Sequence, residues 1–261
     1  MRAGAAGVAP SMPAALETRG LYRSFGGLAV TTNVDLRLER GSRQALIGPN
    51  GAGKTTLINL ISGALAPSAG RVWLDGREVT DLPAHARARL GLARTFQINQ
   101  LFARLSVIDQ LLLAIGERRR AGRRLWRPLG ADRPLLDEAF ALLEALRLED
   151  QALAPITTLP YGRQRLVEIA LALAARPKVL LLDEPAAGVP AAETHLILDA
   201  IQALPADIAV LIVEHDMELV FRFARRITVM AGGAILTEGT PADIAADERV
   251  REAYLGSRAH G

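Results

Sequence analysis

The stretch that decides the fold is Gly48-Pro49-Asn50-Gly51-Ala52-Gly53-Lys54-Thr55. It fits the P-loop pattern G-x-x-x-x-G-K-[ST], in which glycines let backbone N–H groups approach a phosphate closely. Residues 44–47 before it have the pattern of a short buried strand, and residues 55–62 after it have helical apolar spacing. A helix that starts at such a loop adds N–H groups and a positive dipole end. The stretch therefore predicts a nucleoside triphosphate site.

Each residue type in this loop suits a phosphate site. Lys54 would reach the β- and γ-phosphates, and the Thr55 hydroxyl would ligate Mg²⁺. Lysine occurs only at Lys54 and Lys178, so a chance match is rare, and the alternative of a plain glycine turn before a helix is disfavoured. The predicted nucleotide-binding residues here are Gly48, Pro49, Asn50, Gly51, Ala52, Gly53, Lys54, Thr55 and Thr56.

Composition limits the class of protein. Half of the 261 residues are hydrophobic, which is typical of a globular chain with one large domain or two ordinary ones. The absence of cysteine excludes disulfides, thiolate metal sites and cysteine nucleophiles. The net charge is +3, and no run of 18 apolar residues predicts a membrane span. We expect residues 1–15, rich in Ala, Gly and Pro, to be a disordered leader and not a signal peptide.

The pattern along the chain predicts an α/β fold. Strand-like stretches lie around the P-loop, including an alternating strand at 34–39 and a strand at 72–74 that enters a tight turn. Residues 84–175 have helical periodicity, with a capping-box spacing at Ser106 and an amphipathic helix at 137–148. Strands return at 179–182, 208–213 and 227–230, and a helix start follows at Thr240. We expect a mainly parallel sheet with the helical subdomain 84–175 inserted in it.

Three polar residues follow apolar strands. Asp183 and Glu184 end one strand, and ligands bind at the carboxyl ends of strands in parallel sheets. Asp183 would hold Mg²⁺, and Glu184 would orient or deprotonate the attacking water. His215 lies at the end of the strand predicted at 208–213 and would sense the γ-phosphate. The alternatives are a capped strand for the carboxylates and a structural role for the histidine, and the upstream P-loop favours the functional interpretation.

The segment Leu159-Pro160-Tyr161-Gly162-Arg163-Gln164-Arg165 completes an ordered set of motifs. Together with the P-loop, Gln97, Asp183-Glu184 and His215, it resembles the signature motif of ABC-transporter ATP-binding cassettes. The resemblance covers about residues 16–256 and leaves 257–261 as a tail. Residues 93–97, 184–188, 214–217 and 253–256 look like the G-type ATPase subunit of branched-chain amino acid importers.

The resemblance implies a fold and a set of roles. The fold would be a P-loop NTPase core with an antiparallel β subdomain and the helical subdomain. Phe25 would stack on adenine, its alternative being a core aromatic, and Gln97 would join Mg²⁺ and the attacking water and couple the site to the permeases. The segment that would contact the nucleotide of an opposing cassette comprises Leu159, Gly162, Arg163 and Gln164.

The resemblance also implies cofactors and partners. The cofactors would be ATP and Mg²⁺, and the partners would be transmembrane permeases and a second cassette, either heterologous or another copy. A periplasmic substrate-binding protein would act indirectly, and the chain would lie peripherally on the cytoplasmic face of the inner membrane. Alternatives are a cassette for lipid or lipopolysaccharide export and a soluble ATPase that acts on nucleic acid.

Two prolines depart from the family pattern. Pro160 stands where the signature serine is usual and offers neither a hydroxyl nor an N–H, and Pro190 occupies a slot that usually holds Asn or Asp. A further unusual feature is the arginine cluster at 118–127, which includes Trp126. We interpret the cluster as a solvated loop, with contact to lipid, to the membrane partner or to nucleic acid as alternatives.

Overall fold

The computed structural model describes residues 13–95, 101–119 and 132–256. The strands are β1 (Leu16–Phe25), β2 (Leu28–Val34), β3 (Arg37–Leu38), β4 (Arg43–Ile47), β5 (Ala69–Leu74), β6 (Arg77–Glu78), β7 (Leu92–Arg94), β8 (Val179–Asp183), β9 (Ala209–Val213), β10 (Arg226–Ala231) and β11 (Ala234–Gly239). The α-helices are α1 (Lys54–Ser62), α2 (Ala84–Arg89), α3 (Val107–Arg118), α4 (Arg133–Ala145), α5 (Tyr161–Ala174), α6 (Ala191–Gln202), α7 (Met217–Phe223), α8 (Pro241–Ala246) and α9 (Glu248–Gly256).

A six-stranded sheet forms the centre of the molecule, in the order β11-β10-β4-β9-β8-β7. Its neighbours pair in parallel from β10 to β7, and β11 adds an antiparallel edge. Along β4, Ala45 and Ile47 belong to one hydrophobic core and Leu46 belongs to the other. Both faces are therefore covered, which explains why β8 and β9 are apolar and buried throughout. The mainly parallel sheet predicted from the sequence is confirmed.

A smaller antiparallel sheet has the order β2-β1-β5-β6, with β3 beside β1. The prediction of one strand over 34–39 is wrong, because β2 ends at Val34 and only β3 continues. The Thr18 hydroxyl donates to the Val34 oxygen (2.9 Å) and accepts from the Leu36 N–H (2.9 Å), so a side chain interrupts the backbone ladder. The predicted alternation of burial is nevertheless present, with Leu36 buried and Asp35 exposed.

Helices α3, α4 and α5 pack on one another. Helix α3 begins at the predicted N-cap, where the Ser106 Oγ accepts from the Asp109 N–H (3.2 Å) and donates to its carboxylate (2.6 Å). Helix α4 begins at Arg133, four residues before the predicted start at 137, with Pro134 in its first turn. Arg147, just after this helix, has a left-handed backbone conformation. None of the described helices is long and apolar enough to cross a membrane.

Strand β7 lies within the stretch 84–175 that the sequence predicts as helical. It pairs with β8 at the edge of the six-stranded sheet, which brings Arg94 beside Leu181. The strands predicted at 179–182, 208–213 and 227–230 are β8, β9 and β10, each within one residue of the expected bounds. The sheet thus places the carboxyl ends of β4, β7, β8 and β9 along one edge.

Candidate functional site

The P-loop connects β4 to α1 and lies between the two sheets. Gly48, Gly51 and Gly53 have φ values of 151°, 79° and 95°. A Cβ atom on Gly48 would lie 2.2 Å from the backbone oxygen of Met230, and one on Gly53 would lie 2.5 Å from that of Val30. Because both neighbours are backbone atoms, any side chain at these positions would force the loop out of place.

The Lys54 ammonium is held across the loop. Its Nζ donates to the backbone oxygens of Gly48 (2.7 Å) and Pro49 (3.0 Å). Burial lowers the pKa of Lys54, and the carboxylates of Glu184 and Asp183 oppose that shift. Both acids therefore lie within the electrostatic influence of the lysine.

The remaining P-loop residues differ in their exposure. Ala52 is buried, and its N–H donates to the Pro49 oxygen (3.2 Å), which leaves that group engaged inside the loop. Asn50 and Gly51 are exposed at its tip, and Thr55 is exposed in the first turn of α1. The threonine expected to ligate Mg²⁺ is therefore an exposed residue.

Asp183 and Arg94 form a buried ion pair at the ends of β8 and β7. The Arg94 Nη2 lies 2.9 Å from the Asp183 Oδ2, and the two side chains are 10% and 2% exposed. Arg94 also donates to the Asn59 Oδ1 of α1 (2.6 Å). The sequence pattern did not single out Arg94, because its partner lies 89 residues away.

A Mg²⁺ ion fits the residues at this corner. The Asp183 Oδ1 is buried and has no hydrogen-bond partner among the described residues, and Mg²⁺ prefers such oxygen ligands. The described residues contain no cluster of three or more His, Cys, Asp or Glu side chains that could hold a metal. An ion here would therefore use few protein ligands and depend on phosphate oxygens. Gln97, the third predicted ligand, lies outside the described residues.

Glu184 and Glu214 follow neighbouring strands. Glu184 has a φ of 47°, a rare conformation for a residue with a side chain, and its N–H donates to the Val213 oxygen (2.9 Å). The buried Glu214 accepts from the N–H groups of Ala186 (3.2 Å) and His215 (3.1 Å). Burial raises the pKa of Glu214, and these N–H groups oppose the rise. Glu214 thus anchors the loop after Glu184, a role that sequence reasoning missed.

Two predicted contacts for the nucleotide are exposed. The His215 side chain is 66% exposed and precedes Asp216, whose carboxylate caps α7. Phe25 ends β1 and is 48% exposed, and the Arg23 guanidinium lies 4.8 Å from its ring centroid. The exposure excludes the alternative of a core aromatic for Phe25. Its contact with adenine stays a prediction.

The signature segment opens α5. Leu159 is buried in the larger core, and the Gln164 Nε2 donates to its backbone oxygen (2.9 Å). The Arg163 Nη1 donates to the Arg147 oxygen (2.6 Å). These three side chains are therefore engaged within the helical region.

Both prolines that depart from the family pattern are helix N-caps. Pro160 caps α5 and Pro190 caps α6, and neither helix has a side-chain hydrogen bond from its N-cap. The Gly162 N–H instead donates to the Glu193 Oε2 of α6 (3.2 Å). The sequence pattern gave no role to Glu193.

Only the first two arginines of the cluster at 118–127 lie within the described residues. Arg118 and Arg119 both pair with Glu138 of α4, and Arg176 joins them from the end of α5. Although burial opposes the shift, the three arginines lower the pKa of Glu138. The ion pairs favour a structural role for this end of α3, and Trp126 lies outside the described residues.

A glycine loop between strand and helix, with a lysine over the loop and acids at neighbouring strand ends, defines a P-loop nucleotide-binding protein. The ABC transporter family model matches residues 31–187. The chain belongs to the ABC transporter family, as an ATP-binding cassette of the kind that hydrolyses ATP. A second model, described as branched-chain amino acid ATP-binding cassette transporter, matches residues 234–260.

Similar proteins extend over almost the whole chain. The high-affinity branched-chain amino acid transport ATP-binding protein BraF of Pseudomonas aeruginosa is 39% identical, over 92% of this chain and 97% of its own length. The corresponding protein LivG of Escherichia coli is 38% identical, over 92% and 97%. A probable branched-chain amino acid transport ATP-binding protein LivG of Archaeoglobus fulgidus is 36% identical, over 93% and 96%.

Solved structures share the fold. A nucleotide-free ATP-binding cassette from an ABC transporter has a TM-score of 0.81 and 31% identity, covering 92% of this chain and 98% of its own. The ADP conformation of an ATP-binding cassette of an ABC transporter has a TM-score of 0.82 and 30% identity, covering 93% and 99%. The predicted fold class and the predicted family are confirmed.

Proposed function

We propose that the chain powers the import of branched-chain or related hydrophobic amino acids by hydrolysing MgATP. The observation that carries the proposal is the glycine loop after β4, across which the Lys54 Nζ donates to the Gly48 and Pro49 oxygens. The carboxylates of Asp183 and Glu184 act electrostatically on that lysine. The cargo is inferred from the names of the full-length relatives and from the family model matched at residues 234–260.

The mechanism assigns a role to each residue. The P-loop N–H groups and Lys54 bind the β- and γ-phosphates, and Thr55, Asp183 and Gln97 would hold Mg²⁺. Held by these residues, Mg²⁺ would supply positive charge to offset that of the phosphates. Glu184 orients or deprotonates the attacking water, and His215 contacts the γ-phosphate. Phe25 stacks on adenine.

The mechanism also needs partners. A second cassette would bring its nucleotide against Leu159, Gly162, Arg163 and Gln164 of this chain, with the α5 dipole directed at the γ-phosphate. Permeases would hold both cassettes at the cytoplasmic face of the inner membrane, and a periplasmic binding protein would deliver the amino acid. We infer that the second cassette is a heterologous subunit, and a second copy of this chain is the alternative.

Reconstitution tests this proposal. The chain would be coexpressed with candidate permeases and a candidate second cassette, purified as a complex and placed in vesicles. We expect ATP hydrolysis that requires Mg²⁺, that leucine with the binding protein stimulates, and that Lys54→Ala abolishes. Stimulation by lipid or lipopolysaccharide would favour export. Purification with nucleic acid and without permeases would overturn the proposal.

A further inference from the structure

A backbone N–H at the start of α5 donates a hydrogen bond to a carboxylate of α6. The Glu193 Oε2 lies 3.2 Å from the Gly162 nitrogen, and a Cβ atom on Gly162 would lie 2.3 Å from that oxygen. Gly162 is buried and Glu193 is half-buried. The absence of a side chain at position 162 is thus what allows the carboxylate to reach the backbone.

Pro190 explains why Glu193 is available for this contact. Glu193 is the third residue of α6, the position from which a glutamate usually returns to the N–H of its own N-cap. The N-cap of α6 is Pro190, which has no N–H. The Glu193 carboxylate therefore has no capping-box partner in its own helix and crosses to α5.

Pro160 explains why the start of α5 donates a hydrogen bond to the Glu193 carboxylate. The first N–H groups of a helix have no partner within the helix, and an N-cap side chain usually satisfies one of them. The N-cap of α5 is Pro160, which has no side-chain acceptor. The two departures from the family pattern are thus complementary, since one leaves a carboxylate without its usual partner and the other leaves an N–H without its usual cap.

The same junction includes the loop that follows Glu184. Gly188 has a φ of 74°, and a Cβ atom there would lie 3.3 Å from the Tyr161 ring. Tyr161 thus contacts the loop, and the next residue, Gly162, contacts α6. A movement of Glu193 would therefore affect both the start of α5 and the loop after β8.

We propose that Glu193 is a positioning residue that occupies the phosphate-binding N–H of Gly162 until the nucleotide of the facing cassette displaces it. An N–H donates one proton, so the carboxylate and the γ-phosphate compete for it, and their negative charges repel. Glu193 stabilises α5 in the separate cassette and opposes closure of the cassette pair. The inference rests on the proposed function, which brings a nucleotide to this helix.

The test compares the apparent affinity for MgATP, which should rise in the variant, with the stability of the isolated chain, which should fall. In the reconstituted transporter, we expect Glu193→Ala to lower the KM for MgATP by about tenfold, the size of a lost charged hydrogen bond. Glu193→Gln keeps an acceptor without the charge, so it should have a smaller effect. In the isolated chain, Glu193→Ala should lower the melting temperature because α5 loses its cap. Asp199→Asn, which removes an exposed charge from the same helix, should change neither quantity.

The outcomes separate the two proposals. A merely structural cap would lower stability and leave the KM unchanged or raised, which would overturn the role of Glu193. The same result in a transporter with normal leucine-stimulated hydrolysis would leave the proposed function intact. A wild-type complex without ATP hydrolysis would refute the proposed function first, and the role of Glu193 with it.

Discussion

Glu184 combines an unusual backbone with the position expected for the catalytic base. Its φ of 47° turns the chain directly after β8, and Lys54 lies within its electrostatic influence. Glu184→Gln keeps the size of the side chain and removes its basicity. We expect kcat for ATP to fall by about a hundredfold or more while nucleotide binding persists, because general bases contribute at about this level. Turnover of the reconstituted complex and binding of a fluorescent ATP analogue would measure the two effects, and unaltered turnover would refute the assigned base.

Arg94 neutralises Asp183 in a site that solvent hardly reaches. Arg94→Ala leaves a buried carboxylate without its cation, and such losses cost about 3–5 kcal/mol. We expect the free energy of unfolding in urea at pH 7 to fall by this amount. Arg71→Ala is the matched control, since the ion pair between Arg71 and Glu78 is exposed and should contribute about 0–1 kcal/mol. Equal losses in the two variants would contradict the role assigned to Arg94.

Helix α9 supports the P-loop from the C-terminal segment. Tyr254 packs against the larger core, burial raises the pKa of its hydroxyl, and the backbone of Gly48 opposes that rise. We expect Tyr254→Phe to lower stability by about 1 kcal/mol and to weaken ATP binding, because Gly48 begins the loop. Titration with a fluorescent nucleotide would show the second effect. Tyr22→Phe in β1 is the control, and equal affinities in the two variants would contradict a link between α9 and the loop.

Local signals explain which elements the sequence predicts well. The N-cap hydrogen bonds of Ser106 and Thr240 join residues three positions apart, and both are present. The buried strands β8 and β9 follow from uninterrupted apolar runs, and β10 follows from a run that only Thr228 interrupts. The alternating stretch at 34–39 is not one strand, because the Thr18 hydroxyl bonds to the Val34 oxygen and the Leu36 N–H. Thr18 lies 16 and 18 residues away from these two partners in the chain.

Distant partners explain what sequence reasoning could not find in the site. Glu214 acts on Ala186, which is 28 residues away in the chain, and Glu193 acts on Gly162, which is 31 residues away. Neither glutamate lies in a pattern that marks its target. The first contact depends on the pairing of β8 with β9, and the second depends on the packing of α6 against α5.

The two sheets meet at the P-loop, so a nucleotide should stabilise the molecule as a whole. Gly48 contacts β10, Gly53 contacts β2, and the Gly233 N–H donates to the Ala52 oxygen (3.2 Å). A ligand bound only by the folded state adds about 2.7 kcal/mol at a hundred times its Kd. We therefore expect saturating MgATP to raise the melting temperature by about 5–10 °C, measured by calorimetry on the full chain.

Lysine offers a matched pair of variants for this measurement, because the chain contains only two. Lys54→Ala removes the ammonium that lies across the P-loop and should abolish the rise in melting temperature with MgATP. Lys178→Ala removes an exposed ion pair with Asp75 and should leave that rise intact. A rise of equal size in both variants would mean that the nucleotide binds away from the P-loop. A rise in Lys178→Ala alone would place the triphosphate at the junction of the two sheets, where its binding energy acts on both.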